Sequence, residues 1–268
     1  RLPARELRAG RMSVLVSTEN AIAVVTIDRQ EAMNALDIAT VRELRDRLAD
    51  LAADAEVRCV IVTGAGEKSF IGGADIKYMA QVNYDQAKEF ADLGHEAGRL
   101  LETMPKPTIA AINGYALGGG CEVALACDIR YAASTARLGQ PEVNYGLIPG
   151  WGGTQRLARA TSIGFAKELI FTGRLVGAEE AFQHGLVDGI ADPVMDKALE
   201  TAKLITKKGP EGVALAKSLV NRALQGDHTA NLADEAAALA HVLPNPEARE
   251  GLAAFVEKRP ASFQHPDA

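Results

Sequence analysis

Three runs of apolar, largely β-branched residues stand out in the first half of the chain. Residues 21–27 read Ala-Ile-Ala-Val-Val-Thr-Ile, and residues 59–63 and 108–112 repeat the pattern. Runs of this length with so few polar positions suit strands buried on both faces, and they predict a mostly parallel sheet. Between the first two, Val41, Leu44, Leu48 and Leu51 recur at helical spacing behind Asp37, a residue type that caps helix N-termini. The order strand, helix, strand follows.

Glycine turns come after the strands: Gly64-Ala65-Gly66, then Ile71-Gly72-Gly73-Ala74-Asp75, then Gly114, then Gly118-Gly119-Gly120 opening a helical stretch over 121–127. Residues 129–133 and 137–139 read as a strand pair. A second glycine-rich turn, Ile148-Pro149-Gly150-Trp151-Gly152-Gly153-Thr154, precedes a helical region around 166–171. Beyond about Pro193 the β-branched runs stop. Apolar residues at helical spacing take over at Val213, Ala216, Leu219, Val220 and Leu224, then at Leu232, Ala236, Leu239 and Val242, and Pro244-Asn245-Pro246 starts a last short helix ending at Arg259-Pro260. The chain divides into an extension at 1–11, an α/β catalytic core at 12–195 and a helical C-terminal region at 196–268. A helical tail without a rich core of its own packs on its own domain or on a neighbouring subunit.

Composition narrows the function classes. Hydrophobic residues make up 47% and charged residues 24% of 268, enough to bury a sizeable core without disulfides or metals. The formal net charge of -6 supplies no overall field for nucleic acid or an anionic membrane, although a local basic patch can still hold a phosphorylated group. Cys59, Cys121 and Cys127 have neither zinc-ligand spacing nor the pattern of a secreted disulfide framework, which favours a reducing, cytoplasmic setting. Arg1, Arg5, Glu6, Arg8 and Arg11 interrupt the start, which excludes a secretory signal there; Glu6 and the lack of serine argue against a transit peptide. No apolar run reaches the length of a membrane-spanning helix.

Two glutamates are candidates for chemistry. Glu122 sits two residues after Gly120, at the head of the apolar stretch Val123-Ala124-Leu125-Ala126, where a carboxylate is costly to bury unless paired or functional. It reads equally as a helix N-terminal carboxylate stabilised by the macrodipole. Glu142, in Gly139-Gln140-Pro141-Glu142, falls at a strand end before a glycine-rich turn, where an ordinary surface glutamate is the commoner alternative. The glycine loops allow backbone N–H groups to approach a ligand, and Gly118-Gly119-Gly120 leads into a helix N-terminus, so an oxyanion can be held there. Neither a Walker A spacing nor G-x-G-x-x-G after a strand occurs. Cys121 has no histidine motif to activate it and reads as packing. Asp128 reads as an ion-pair or helix-end residue.

Three segments, in order, resemble signatures of the enoyl-CoA hydratase (crotonase) family. They are Phe70-Ile71-Gly72-Gly73-Ala74-Asp75-Ile76-Lys77, then Lys106-Pro107-Thr108 through Gly118-Gly119-Gly120-Cys121-Glu122, and then Gly139-Gln140-Pro141-Glu142 through Gly150-Trp151-Gly152-Gly153-Thr154-Gln155-Arg156-Leu157. The resemblance extends from about Val14 through the Glu250 to Arg259 tail. It implies an α/β crotonase-like spiral of repeated ββα units with a helical C-terminal trimerisation region, assembled as a homotrimer or a dimer of trimers. It also implies reversible addition of water across the 2,3 double bond of a 2-enoyl-CoA. Glu122 would be the base on water, Glu142 the acid at C2, and the Ala74 and Gly119 N–H groups the oxyanion hole. Ala74, Asp75, Ile76, Lys77, Gly118 and Lys258 would bind the CoA thioester, Asp75 chiefly as part of the turn. No metal and no separate cofactor is implied, since coenzyme A is part of the substrate. Tyr78, Met79 and Phe90 fall where the family's acyl tail often runs, and Trp151 lines the acyl pocket or covers the Glu142 turn.

Other readings remain at this stage. An enoyl-CoA isomerase of the same family works with a single carboxylate at the Glu142 position, and the presence of Glu122 favours hydration; another acyl-CoA lyase or hydrolase of the family is also open. A dehalogenase branch uses an aspartate nucleophile, and no Asp occurs between Glu142 and Gly150. An RNA-binding or scaffold relative would need a basic helix, and the densest basic pair is Lys207-Lys208.

Overall fold

A computed structural model of the chain describes residues 12–263. The 1–11 extension lies outside the described residues, as does the end of the tail beyond 263. The chain repeats one unit, two strands and a helix, and the two strands of most units go to different sheets. The first unit is β1 (Val14–Glu19), β2 (Ile22–Ile27) and α1 (Ile38–Ala53); β1 and β2 form an antiparallel hairpin. Then come β3 (Cys59–Gly64), β4 (Ser69–Ile71), the short α2 (Ile76–Met79) and α3 (Tyr84–Thr103). The third unit is β5 (Thr108–Ile112), β6 (Tyr115–Leu117) and α4 (Gly119–Ala126), and the fourth is β7 (Ile129–Ala132), β8 (Arg137–Gly139), a 3-10 turn (Pro141–Tyr145) and α5 (Gly153–Ala160). After α6 (Ile163–Thr172) come β9 (Leu175–Gly177), α7 (Ala178–Gln183) and β10 (Gly189–Ile190). The helices α8 (Val194–Ile205), α9 (Pro210–Asn221), α10 (His228–Val242) and α11 (Pro246–Val256) follow.

The larger sheet has the order β1-β2-β3-β5-β7-β10, parallel after the first hairpin, and the smaller one has the order β4-β6-β8-β9. This corrects the reading of 129–133 and 137–139 as a strand pair. β7 pairs with β5 and β10, while β8 pairs with β6 and β9, because each of the second, third and fourth units adds one strand to each sheet. Strands β2, β3 and β5 lie at the predicted positions. β3 and β5 are buried throughout, as apolar runs without alternation require.

Helix α1 starts at the predicted cap: the Asp37 carboxylate accepts from the Thr40 N–H at 2.9 Å. Its buried face is Val41, Leu44, Leu48 and Leu51, each side chain contributing about 1.5–3 kcal/mol by burial. Helix α9 is fastened to the core by Lys217, whose ammonium reaches Asp128 at 2.8 Å and donates to the carbonyls of Leu101 and Lys106. Asp128 is thus the ion-pair residue expected. The last helix ends at Val256, three residues before the predicted Arg259. Its outer face, with Phe255 at 83% exposure and Val256 at 78%, is apolar and open.

Candidate active site

Three neighbouring strands of the small sheet run parallel and release their carboxyl ends on the same side. β4 pairs with β6 through Ile71 and Ala116, and β6 with β8 through Leu117 and Gly139. β4 opens into the Gly72-Gly73-Ala74 loop, β6 into Gly118 and the start of α4, and β8 into Gln140-Pro141-Glu142. Loops at the carboxyl ends of adjacent parallel strands are where open α/β sheets bind ligands. The pairing thereby gathers Ala74, Gly118, Gly119, Glu122 and Glu142 from three separate stretches of sequence.

The Ala74 loop is held by a strip of backbone bonds: Gly72 N–H to Met33 O, Leu36 N–H to Gly73 O and Asp75 N–H to Leu36 O, all 2.8–2.9 Å. The Asp75 side chain caps α2 by accepting from the N–H groups of Lys77 and Tyr78, and Arg29 braces it at 3.3 Å. Asp75 therefore shapes the loop, as the turn reading anticipated. Across from it, Gly118 (φ 49, ψ -120) has a backbone that L side chains rarely adopt, and it turns the chain sharply into α4. Among the described residues, neither the Ala74 N–H nor the Gly119 N–H has a protein acceptor. Both are left to meet a ligand, and Gly119 lies at a helix N-terminus where anions are favoured.

Glu122 is 2% exposed, one turn into α4. The backbone N–H groups of Trp151 and Gly153 both donate to its Oε1 at 2.7 Å. Burial raises its pKa, and these two bonds together with the Arg156 charge oppose the rise. Glu142 stands half-buried in the 3-10 turn with Oε1 2.7 Å from where a Cβ on Gly118 would lie. The fully buried Gln140 amide donates to both of its oxygens, at 3.0 and 3.3 Å. Burial, with the charge of Glu122 added, pushes Glu142 up to about 7. Burial therefore raises both carboxyls, while Glu122 alone has two backbone N–H donors and a nearby guanidinium that favour its anion, an asymmetry of the kind acid–base catalysis uses.

Trp151 is buried against α3 and the start of α4. Its ring lies on Gly119, 2.5 Å from an added Cβ there, and edge-on to Phe90 at 4.9 Å between centroids, while its indole N–H donates to Phe90 O at 3.1 Å. Phe90 in turn meets Tyr78 at 5.2 Å. Lys77 and Ile76 are exposed at the edge of the Ala74 loop, and Lys258 is exposed just past α11. Cys121 is buried beside both glutamates, and burial pushes its thiol far up, away from any nucleophilic role. Among the described residues no group of three or more His, Cys, Asp or Glu side chains could hold a metal ion. No helix among them is long and apolar enough to cross a membrane.

Two carboxyl groups and two N–H groups without a protein acceptor, gathered at the carboxyl ends of adjacent parallel strands, suit proton transfer on a carbonyl compound whose oxygen gains charge. The chain belongs to the enoyl-CoA hydratase/isomerase family, whose pattern matches residues 17–266. It is 45% identical over 249 residues to a short-chain-enoyl-CoA hydratase of Clostridium acetobutylicum, covering 92% of this chain and 95% of that one. It is 43% identical over 253 residues to a crotonyl-CoA hydratase of Syntrophomonas wolfei, covering 94% and 97%. The crystal structure of an enoyl-CoA hydratase from Bacillus anthracis superposes with a TM-score of 0.90 at 40% identity, covering 94% of this chain and 98% of that one. The spiral of ββα units expected from the resemblance is the fold observed.

Two features of the site escaped sequence reasoning. The 151–153 turn, noted as glycine-rich, proves to supply both hydrogen bonds to Glu122, and Gln140 proves to be the partner of Glu142. The only hint was a buried-type carboxylate without a partner in its own helix.

Proposed function

We propose that the chain hydrates 2-enoyl-CoA thioesters of short acyl length, with Glu122 as base and Glu142 as acid. The observation that carries this reading is the pair of glutamates, one held by two backbone N–H donors and the other by a buried amide, on loops that also carry two N–H groups without a protein acceptor. Glu122, ionised and held through Oε1, takes a proton from the water that attacks C3. Glu142 delivers its proton to C2, and the thioester oxygen, charged as the enolate forms, is held by the Ala74 and Gly119 N–H groups. Such donors are most effective because the charge they meet develops only along the reaction. The cycle leaves Glu122 protonated and Glu142 charged, and one proton passing between them after product release restores the start. Hydration is favoured over isomerisation because Glu122 is buried and held by two N–H bonds, a cost that a site using Glu142 alone would not need to bear.

Lys77 and Lys258 would pair with CoA phosphates, with Asp75, Ile76 and Gly118 shaping the thioester cleft. Neither a metal nor a separate cofactor enters this scheme. The exposed apolar face of α10 and α11, with Leu239, Leu252, Phe255 and Val256, supports assembly as a homotrimer or a dimer of trimers. The acidic charge and reduced cysteines fit a cytoplasmic setting.

A panel of acyl-CoAs of rising length tests the function, followed as loss of absorbance by the conjugated thioester. The Trp151–Phe90–Tyr78 aromatic cluster, with Trp151 packed on Gly119, would limit the space for an acyl tail in this reading. The expected result is fastest hydration of crotonyl-CoA and at least about a tenfold fall in kcat/KM by eight to ten carbons. No hydration of any member would sink the reading.

The pH dependence follows from Glu142. Its acid form is the working one, so kcat/KM should fall about tenfold per pH unit above about 7, while a separate acid limb marks protonation of Glu122. The same raised value acts on stability with a definite sign. A carboxyl whose folded pKa lies above its unfolded one adds stability below the ordinary carboxylate range, and that contribution disappears as pH rises through about 7. Glu142→Gln should therefore have a higher Tm than the parent at pH 8, with the gap closing below about pH 4.5. A gap that widened on acidification would contradict the assignment.

A further inference from the structure

The turn that holds Glu122 is itself held from behind. Arg156, on the first turn of α5, makes a two-pronged pair with Glu102 of α3, Nε to Oε1 and Nη2 to Oε2, each at 2.7 Å. Its third prong, Nη1, donates to Trp151 O at 2.6 Å. Two glycines make room for this guanidinium: a Cβ on Gly98 would lie 3.0 Å from Nη2, and one on Gly152 would overlap Nη1. Gly152 also has φ 105, which a side chain would strain. The Trp151 residue whose carbonyl Arg156 grips is the one whose N–H donates to Glu122.

We propose that Arg156, anchored by Glu102, is a positioning residue for hydration: it fixes the 151–153 turn so that both N–H groups converge on Glu122 Oε1 and leave Oε2 for water. This rests on the hydratase reading of the site. Arg156 acts through the turn it grips and through its charge on Glu122. A planar fork that binds a carboxylate with two prongs and a carbonyl with the third has no lysine equivalent. The charged and titratable groups facing Glu122 are the Arg156 guanidinium from α5, the Glu142 carboxyl from the 3-10 turn, and the neighbouring Cys121 thiol in α4. The first favours the Glu122 anion.

The test compares Arg156→Lys, Arg156→Met and Glu102→Gln with the parent. For both Arg156 variants kcat on crotonyl-CoA should fall about ten- to a hundredfold, as for a small misplacement of a catalytic group, with KM moving less than about threefold. In Arg156→Met the acid limb of the kcat profile should move to higher pH, because Glu122 loses a cation that favours its charged form. A purely structural role would lower Tm without moving that limb. The Glu122 carboxyl can also be followed by carbon-13 NMR, assigned by its loss in Glu122→Gln. That titration should move upward in Arg156→Met whether or not the parent hydrates crotonyl-CoA. An inactive parent would thus overturn the hydratase reading, and an unmoved titration would overturn this one. If Arg156→Met fails to fold, Glu102→Gln decides, with an expected drop of about three- to tenfold in kcat and the same direction of titration. Unchanged kcat and pH profile there would refute the proposal.

Discussion

Glu122→Gln should lower crotonyl-CoA hydration at least about a hundredfold while the protein stays folded, and Glu142→Gln should do the same. The reasons differ. Gln at 122 keeps an oxygen that can accept from the Trp151 and Gly153 N–H groups, so the turn has no cause to collapse. What it loses is the ability to take a proton from water. Gln at 142 keeps the shape beside Gly118 and a partner for Gln140, but it has no proton to deliver to C2. Each proton transfer contributes about 10²- to 10⁴-fold, and the free N–H groups of Ala74 and Gly119 would leave a residual rate above that in water. KM should change little, because neither substitution removes a binding contact to CoA. The double variant should be far less than doubly impaired in logarithmic terms, since a site missing one half of a coupled pair gains little from the other. Near-normal turnover in either single variant would remove the two-carboxylate mechanism.

What could be read from the sequence depended on how local its cause was. The α1 start was legible because its cap is three residues from the N–H it binds, Asp37 to Thr40, and the buried strands because unbroken runs of four or five apolar residues, mostly β-branched, admit few alternatives. The small sheet was not. β4, β6 and β8 have three residues each, too few to show a period, and they exist through pairings such as Ile71 with Ala116 that span 45 positions. The misreading of β7 and β8 as partners has the same origin: adjacency in sequence suggests a hairpin, while the repeating unit sends them to separate sheets. The glutamates illustrate the limit for the site. Glu122 was balanced between a helix-end carboxylate and a catalytic one on its own residues, and the balance shifts only once Trp151 and Gly153, 29 and 31 positions away, are seen to meet it. Motif resemblance carried that non-local information, whereas periodicity could not.

Gly118→Ala should cost nearly as much activity as losing a glutamate, although position 118 carries no side chain. Two effects combine. The backbone at φ 49, ψ -120 is one that alanine adopts only at about 1–3 kcal/mol of strain, and the new methyl would sit 2.7 Å from Glu142 Oε1. Glu142 cannot stay where it is against that methyl, and moving it disturbs the two bonds that the buried Gln140 amide donates to its carboxyl. Either the 3-10 turn moves outward or the β6–α4 corner rotates, and with it the Gly119 N–H. A displacement of about 1 Å in either group can cost about a hundredfold in rate, so kcat should fall by that order. For a domain of this size the strain should lower Tm by roughly 2–4 °C for each kcal/mol. The two readouts separate the causes. Strain relieved by rotation of the corner would spoil the oxyanion donors and raise KM for thioesters along with the loss of kcat, whereas displacement of Glu142 alone would lower kcat and move the limb near pH 7 toward the ordinary carboxyl value as the acid becomes more exposed. An alanine variant with parental kcat and an unmoved limb would mean that Glu142 does not work against the Gly118 face, and the acid at C2 would have to be sought elsewhere.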